Sequence, residues 1–275
     1  MFGDTMLAGK RVLITGGGTG LGLAIARQAA LHGANLVLVG RRQDVLDQAA
    51  AELRGIGALV ETHSCDIRNA DAVAALMDEV FATRPIDVLV NNAAGAIMAQ
   101  AESLSARAFD AVLQVGLHGT IYCTIEAGKR WIAERHPGVI LFTIASGVEN
   151  GRAFTSPLTV AKGGVLTLMR SLAVEWGRYG IRCVGVAPGL FPTPAAAQRL
   201  HAGERNMDAH SGIPLARVGQ GEELGDLCAF LMSDRAGYIT GEMITIDGGR
   251  SLKGQDMDEL FTWPQERWDA LRPKK

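Results

Sequence analysis

Arg11-Val12-Leu13-Ile14-Thr15-Gly16-Gly17-Gly18-Thr19-Gly20-Leu21-Gly22 decides the fold: a short apolar run enters a glycine cluster and leaves it as a helix, with Leu21, Ile25 and Ala29 at helical spacing. Glycine permits positive φ and a close backbone approach, and the amides of a helix N-terminus attract a pyrophosphate. A strand-loop-helix context is what such a motif requires, the alternative being a turn that only packs strand on helix. Outward from this unit, strand-like runs recur at Asn35 to Val39, Ala58 to His63, Ile86 to Val90, Val139 to Ile144, Ile181 to Ala187 and Met243 to Ile246. Most are separated by helix-like segments, and the strands are almost wholly apolar rather than alternating. Both features predict a parallel sheet covered on each face. The expected architecture is α/β, a single-domain Rossmann-type doubly wound parallel sheet of seven strands spanning residues 1–275.

Composition limits the partners. The chain has 275 residues, 48% hydrophobic, with 34 glycines and a formal charge of −2. Lys and Arg are scattered, so no footprint for nucleic acid or an acidic membrane surface is expected. Cys65, Cys123, Cys183 and Cys228 are widely spaced with no CxxC, which predicts buried thiols in a reducing compartment, no disulfide and no metal site. The first ten residues lack an apolar signal core, and no apolar run nears the roughly 20 residues of a membrane span. A soluble, cytoplasmic protein with a small-molecule substrate is the expectation. Residues from about 190 to 212, with Pro192 and Pro194, interrupt the strand-helix alternation and read as a substrate lid or a plain surface loop. Residues 251–275 form a C-terminal extension.

Four anchors occur together: Thr15 to Gly22, Asn91-Asn92-Ala93-Ala94-Gly95 after the fourth strand, Lys162 in a long helix, and Pro188-Gly189 after the sixth strand. From about Leu7 to Arg250 the chain resembles the short-chain dehydrogenase/reductase family. The resemblance implies a nicotinamide dinucleotide held by Gly16, Thr19, Gly20, Leu21 and Gly22. It places Asn92, Ala93 and Gly95 along the adenine-ribose side and Asp66 and Ile67 at the adenine. Pro188, Gly189 and Thr193 are then expected to face the nicotinamide, with Lys162 on its ribose. At the end of the second strand stand Arg41 and Arg42, where an NAD site usually offers an acidic residue to the ribose 2′-hydroxyl. Guanidinium groups there suit a 2′-phosphate, so NADP(H) is the expected cofactor, unless the pair is only a solvated helix start.

A narrower likeness is carried by Gly116-Leu117-His118-Gly119-Thr120, Glu126-Ala127-Gly128-Lys129, the run Ser171 to Arg182 and the tail Phe261 to Trp268. These resemble the 2,4-dienoyl-CoA reductase branch of the family, which implies reduction of an enoyl- or dienoyl-CoA-type thioester. In the wider family a Tyr four residues before the Lys transfers the proton; here that position is Leu158. The branch often has Ser there and an Asn that binds the thioester oxygen, and the latter falls on His118. Such a reduction must stabilise an oxyanion and deliver one proton. Lys162 and His118 are the candidates, His118 being otherwise a packing residue or a subunit contact. Ser146 is expected to orient the carbonyl, or Ala145 if the register differs by one, while Glu149 and Asn150 face either substrate or solvent. Two other readings stay open: a carbonyl or alcohol oxidoreductase, and a catalytically weakened NADP-binding subunit. The family resemblance also implies a homotetramer formed by long helices, Ser103 to Arg135 and Thr155 to Tyr179. The apolar stripe Val165, Leu168, Met169 and Leu172 fits that contact or burial within one subunit.

Overall fold

A computed structural model of the chain describes residues 5–193, 212–253 and 262–270. Seven parallel strands form one sheet in the order β3-β2-β1-β4-β5-β6-β7. They are β1 (Arg11–Thr15), β2 (Asn35–Gly40), β3 (Val60–Ser64), β4 (Val88–Asn91), β5 (Val139–Thr143), β6 (Arg182–Pro188) and β7 (Met243–Ile246). Central strands bury both faces because successive side chains alternate between two apolar cores. Val12 and Ile14 point into one with α1 (Gly20–Leu31), α2 (Gln43–Gly55) and α7 (Gly221–Met232). Leu13 points into the other with α3 (Ala70–Thr83), α5 (Gly119–Glu134) and α6 (Ser156–Trp176). Leu13 is fully buried, so truncation to Ala would cost about 2–5 kcal/mol.

Local chemistry fixes where the elements start. Asn69 caps α3 by accepting from the Ala72 amide, and Ser105 caps α4 (Ala106–Leu113) by accepting from the Ala108 amide. A reciprocal pair of Gln220 and Glu223 closes the first turn of α7. Pro157 sits in the first turn of α6, where its missing amide hydrogen costs nothing. Beneath the sheet, the buried Arg11 guanidinium donates to Glu61 at 2.6 Å, to the Val80 carbonyl at 2.6 Å and to the Arg84 carbonyl. That clamp ties β1 to β3 and to the end of α3. Glu61 is exposed, so the clamp rests chiefly on the two carbonyls that satisfy the buried guanidinium.

The expected helix from Ser103 to Arg135 is helical without a break from Ala106 to Glu134, with one π bulge inside it. A three-residue 3-10 turn, Ala101–Ser103, precedes α4, and a π turn, Gln114–His118, joins α4 to α5. The two glycines of this stretch pack closely on two sides. A Cβ on Gly116 would meet the Ala161 Cβ at 3.3 Å, and one on Gly119 would stand 2.7 Å from Ile67. The second long helix ends as expected, with α6 closing at Trp176 and a 3-10 turn, Gly177–Tyr179, beyond it. Strand bounds move by one or two residues from the sequence reading, most at β3 and β4.

Candidate active site

Strand order reverses between β1 and β4, and crevices form at the carboxyl ends of strands at such a switch point. Here the crevice is a cleft of about 410 Å³. Its floor is the glycine loop. Gly16 and Gly20 adopt φ of +65° and +55°, a region L side chains rarely enter. A Cβ on Gly22 would stand 2.2 Å from the Gly16 carbonyl oxygen, so only glycine lets the first turn of α1 pass beneath the loop. Thr19 precedes α1 in extended conformation without capping it through its side chain, which leaves first-turn amides available to an anion.

The loop is tied to the β4 end by one residue. The Thr15 hydroxyl donates to the Val90 carbonyl and accepts from the Asn92 and Ala93 amides at 3.1 and 3.2 Å. Asn92 Nδ2 returns a bond to the Thr15 carbonyl at 3.1 Å. Asn91 turns the other way and donates to Thr124 of α5 at 2.9 Å. Reading the sequence alone left this knot unseen, although a Thr at a strand end opposite an Asn pair is a signal for it.

At one end the cleft is lined by Arg41, Arg42, Cys65, Asp66 and Ile67. Arg68 bonds Asp66 at 2.5 Å and holds its carboxyl below the ordinary range, while burial and the neighbouring Asp66 push the Cys65 thiol up. Along the middle run Gly16, Thr19, Gly20, Leu21, Asn92, Ala93 and Gly95. Thr193 stands across from the glycine loop, its Cβ 3.6 Å from where a Gly20 Cβ would be. At the other end lie Thr143, Ile144, Ala145, Leu158 and Lys162. Lys162 is 3% exposed and donates to the Thr143 carbonyl at 2.5 Å. Burial lowers its pKa to about 8, because a low-dielectric site disfavours the charged form.

Several expected residues fall elsewhere. His118 ends the π turn, is exposed, and tilts its ring toward Tyr122 with centroids 6.3 Å apart; it is not part of the cleft lining. Val115, in the same π turn, lines the cleft instead. Ala145 lines the cleft and Ser146 does not; the Ser146 amide instead donates to the Pro188 carbonyl at 3.2 Å. The alternative register therefore holds. Glu149 pairs with Arg170 at 3.1 Å on the surface. Gly22 supports the loop from below, and Pro188 and Gly189 close β6 behind the lining, where a Cβ on Gly189 would be 2.4 Å from that of Asp247. The expected lid lies outside the described residues from 194 to 211, and so do residues 254–261 and 271–275 of the C-terminal extension. No described helix is long and apolar enough to cross a membrane.

The sequence profile described as Enoyl-(Acyl carrier protein) reductase matches residues 16–251. The chain belongs to the short-chain dehydrogenase/reductase family. It is 38% identical over 246 residues to the probable 2,4-dienoyl-CoA reductase of Bacillus subtilis, covering 88% of this chain and 97% of that one. A probable 2,4-dienoyl-CoA reductase of Caenorhabditis elegans is 38% identical over 275 residues, covering 96% and 89%. Among solved structures, a provisionally named NAD(P)-dependent gluconate 5-dehydrogenase of Beutenbergia cavernae, with NADP bound at low occupancy, superposes with a TM-score of 0.85. It is 31% identical and covers 91% of this chain and all of that one. As a short-chain dehydrogenase/reductase, the protein is an oxidoreductase that uses a nicotinamide dinucleotide, and the positive-φ glycine loop and open α1 amides fit that group.

Proposed function

We propose that this enzyme is an NADPH-dependent reductase of conjugated acyl thioesters, of the enoyl- or 2,4-dienoyl-CoA type. The carrying observation is the wall at the β5–α6 end of the cleft: Leu158 and Lys162 line it one helical turn apart, with no tyrosine among the lining residues. Reducing a ketone needs an acid at the alkoxide as it forms. Reducing a conjugated thioester needs first a site that tolerates negative charge on the thioester oxygen. Leu158 leaves no phenol for the first requirement, while the buried ammonium of Lys162 meets the second. The dienoyl-CoA reductase names of two relatives support this reading.

The first-turn amides of α1 would hold the pyrophosphate, and Arg41 and Arg42 the 2′-phosphate, with no acidic residue in that loop to favour NAD. Bound NADPH supplies the hydride. Asp66 and Ile67 would flank the adenine, and Lys162 would bind the ribose while placing positive charge near the reacting oxygen. The same reading extends to a cytoplasmic homotetramer joined through α4, α5 and α6. Val160 and Val174, exposed on α6, support that assembly, and the four buried thiols support the compartment.

The test follows NADPH absorbance with crotonyl-, 2,4-hexadienoyl- and acetoacetyl-CoA. Oxidation with a conjugated ester and not the keto ester is the expected result. Turnover of the keto ester alone overturns the reading in favour of a carbonyl reductase. A second reading, a nucleotide-binding subunit without turnover, draws on the exposed position of His118; it predicts silence with all three esters despite tight NADPH binding.

A further inference from the structure

We propose that Lys162 is itself the proton donor, passing one of its own ammonium protons to substrate carbon, and this rests on the conjugated-thioester reading above. The argument is one of position. The lining of the cleft carries five ionisable side chains, Arg41, Arg42, Cys65, Asp66 and Lys162. Four of them follow β2 and β3 at the far end, leaving Lys162 as the sole described ionisable group beside Thr143, Ala145 and Leu158. An arginine there would not serve, because a guanidinium stays charged at working pH.

The surroundings of Nζ fit the role. Its one hydrogen-bond acceptor among the described residues is the Thr143 carbonyl, which leaves further N–H bonds for ligands. Among the described residues no carboxylate stabilises the charged form; burial acts on it and brings the ammonium into the range where acids work near neutral pH. On the elements packed against α6, His118 and Tyr122 lie together away from the cleft, Cys123 of α5 and Cys183 of β6 are sealed in the core, and Glu149 is held by Arg170. None competes for the proton. Leu158, where the family has a phenol, offers no hydrogen-bonding group to the wall.

Once hydride has been added to the conjugated chain, the displaced electron pair rests on the thioester oxygen. An Nζ–H bond of Lys162 then breaks. Its proton forms the new C–H bond at the α-carbon as the electrons return from oxygen, and the neutral amine regains a proton from solvent. Charge and atoms balance without a further reactant.

The experiment measures kcat/KM for 2,4-hexadienoyl-CoA from about pH 6 to about pH 10 in wild type, Leu158→Tyr and Lys162→Arg, with NADPH affinity read separately by fluorescence titration. Wild-type turnover should be level below about pH 8 and fall tenfold per pH unit above it. Leu158→Tyr should push that limb toward the tyrosine range near about 10. Lys162→Arg should lose at least about a hundredfold in kcat at saturating NADPH, with the change in NADPH affinity accounted for by the separate titration. A wild-type profile that stays flat to the upper limit, or Lys162→Arg turnover above a third of wild type, overturns the assignment while leaving the substrate reading intact. Lost NADPH affinity in Lys162→Arg with a flat wild-type profile overturns it too, making the residue a ribose anchor only. Silence of the wild type toward every conjugated ester, with NADPH bound, refutes the substrate reading and the proton assignment with it.

Discussion

Gly22→Ala puts a methyl group where the structure has none to spare. The new Cβ would lie 2.2 Å from the Gly16 carbonyl oxygen and 2.6 Å from Asn92 Nδ2. Both are more than about 1 Å inside ordinary contact, and neither neighbour is the free end of a flexible chain. Relief requires the glycine loop to rise off α1, which strains the Gly16 amide bond to the Val39 carbonyl at 2.7 Å and the Asn92 bond to Thr15 at 3.1 Å. Overpacking of this kind costs about 1–3 kcal/mol and a weakened hydrogen bond about 1 kcal/mol more. Against that, Ala gains roughly 0.5–1 kcal/mol over Gly inside a helix. The net is a destabilisation of about 2 kcal/mol. For a chain of this size it lowers Tm by roughly 4–8 °C. The same displacement moves the amides that face the pyrophosphate, so NADPH affinity should fall at least about tenfold. Thermal unfolding with and without NADPH reads both effects. Gly55→Ala is the control, because a Cβ there meets nothing within 4 Å at the end of α2; it should be neutral or slightly stabilising. A Gly22→Ala protein with wild-type Tm and wild-type affinity would refute the steric argument.

Replacing both Arg41 and Arg42 with Ser should weaken NADPH by about 10–100-fold and leave NADH nearly unchanged, since a charged hydrogen bond to a phosphate is worth about 1.5–3 kcal/mol and these are exposed; equal loss of both cofactors in paired titrations would reject the 2′-phosphate role. Gly128→Ala would press a Cβ to 2.4 Å from the Trp176 ring across the α5–α6 contact and should cost about 1–3 kcal/mol, with Trp176→Phe in the same chain restoring part of the Tm. Arg217 and the Gln220 amide hold the Glu223 carboxyl down to about 2. A depressed carboxylate stabilises the fold above its unfolded value of 4.5 and loses that support as pH falls toward 2, so Glu223→Gln should flatten the acid limb of Tm against pH, and an unchanged limb would exclude the pair as its source.

Much of the fold was legible because parallel strands buried on both faces leave continuous apolar runs, and β1, β2, β5, β6 and β7 sit within a residue of them. The nucleotide loop was legible for a different reason: positive φ at Gly16 and Gly20 and the 2.2 Å approach at Gly22 restrict those positions to one residue type. Side-chain direction was not legible. Position 118 is matched by sequence alone, but whether it meets substrate depends on helix phase, and the sequence shows no signal for the π turn in which it lies. The choice between Ala145 and Ser146 likewise depends on where β5 ends, which the Lys162 bond at Thr143 and the Pro188 bond at Ser146 fix together.

The Thr15 knot has an evolutionary meaning. One hydroxyl fastens the ends of β1 and β4 before any ligand arrives, so the cradle is rigid as a property of folding rather than of occupancy. None of its members is position 158. Retention of the nucleotide and the choice of acid can therefore be inherited separately, and a lineage can exchange one chemistry for another at the α6 wall without passing through forms that have lost their grip on the cofactor.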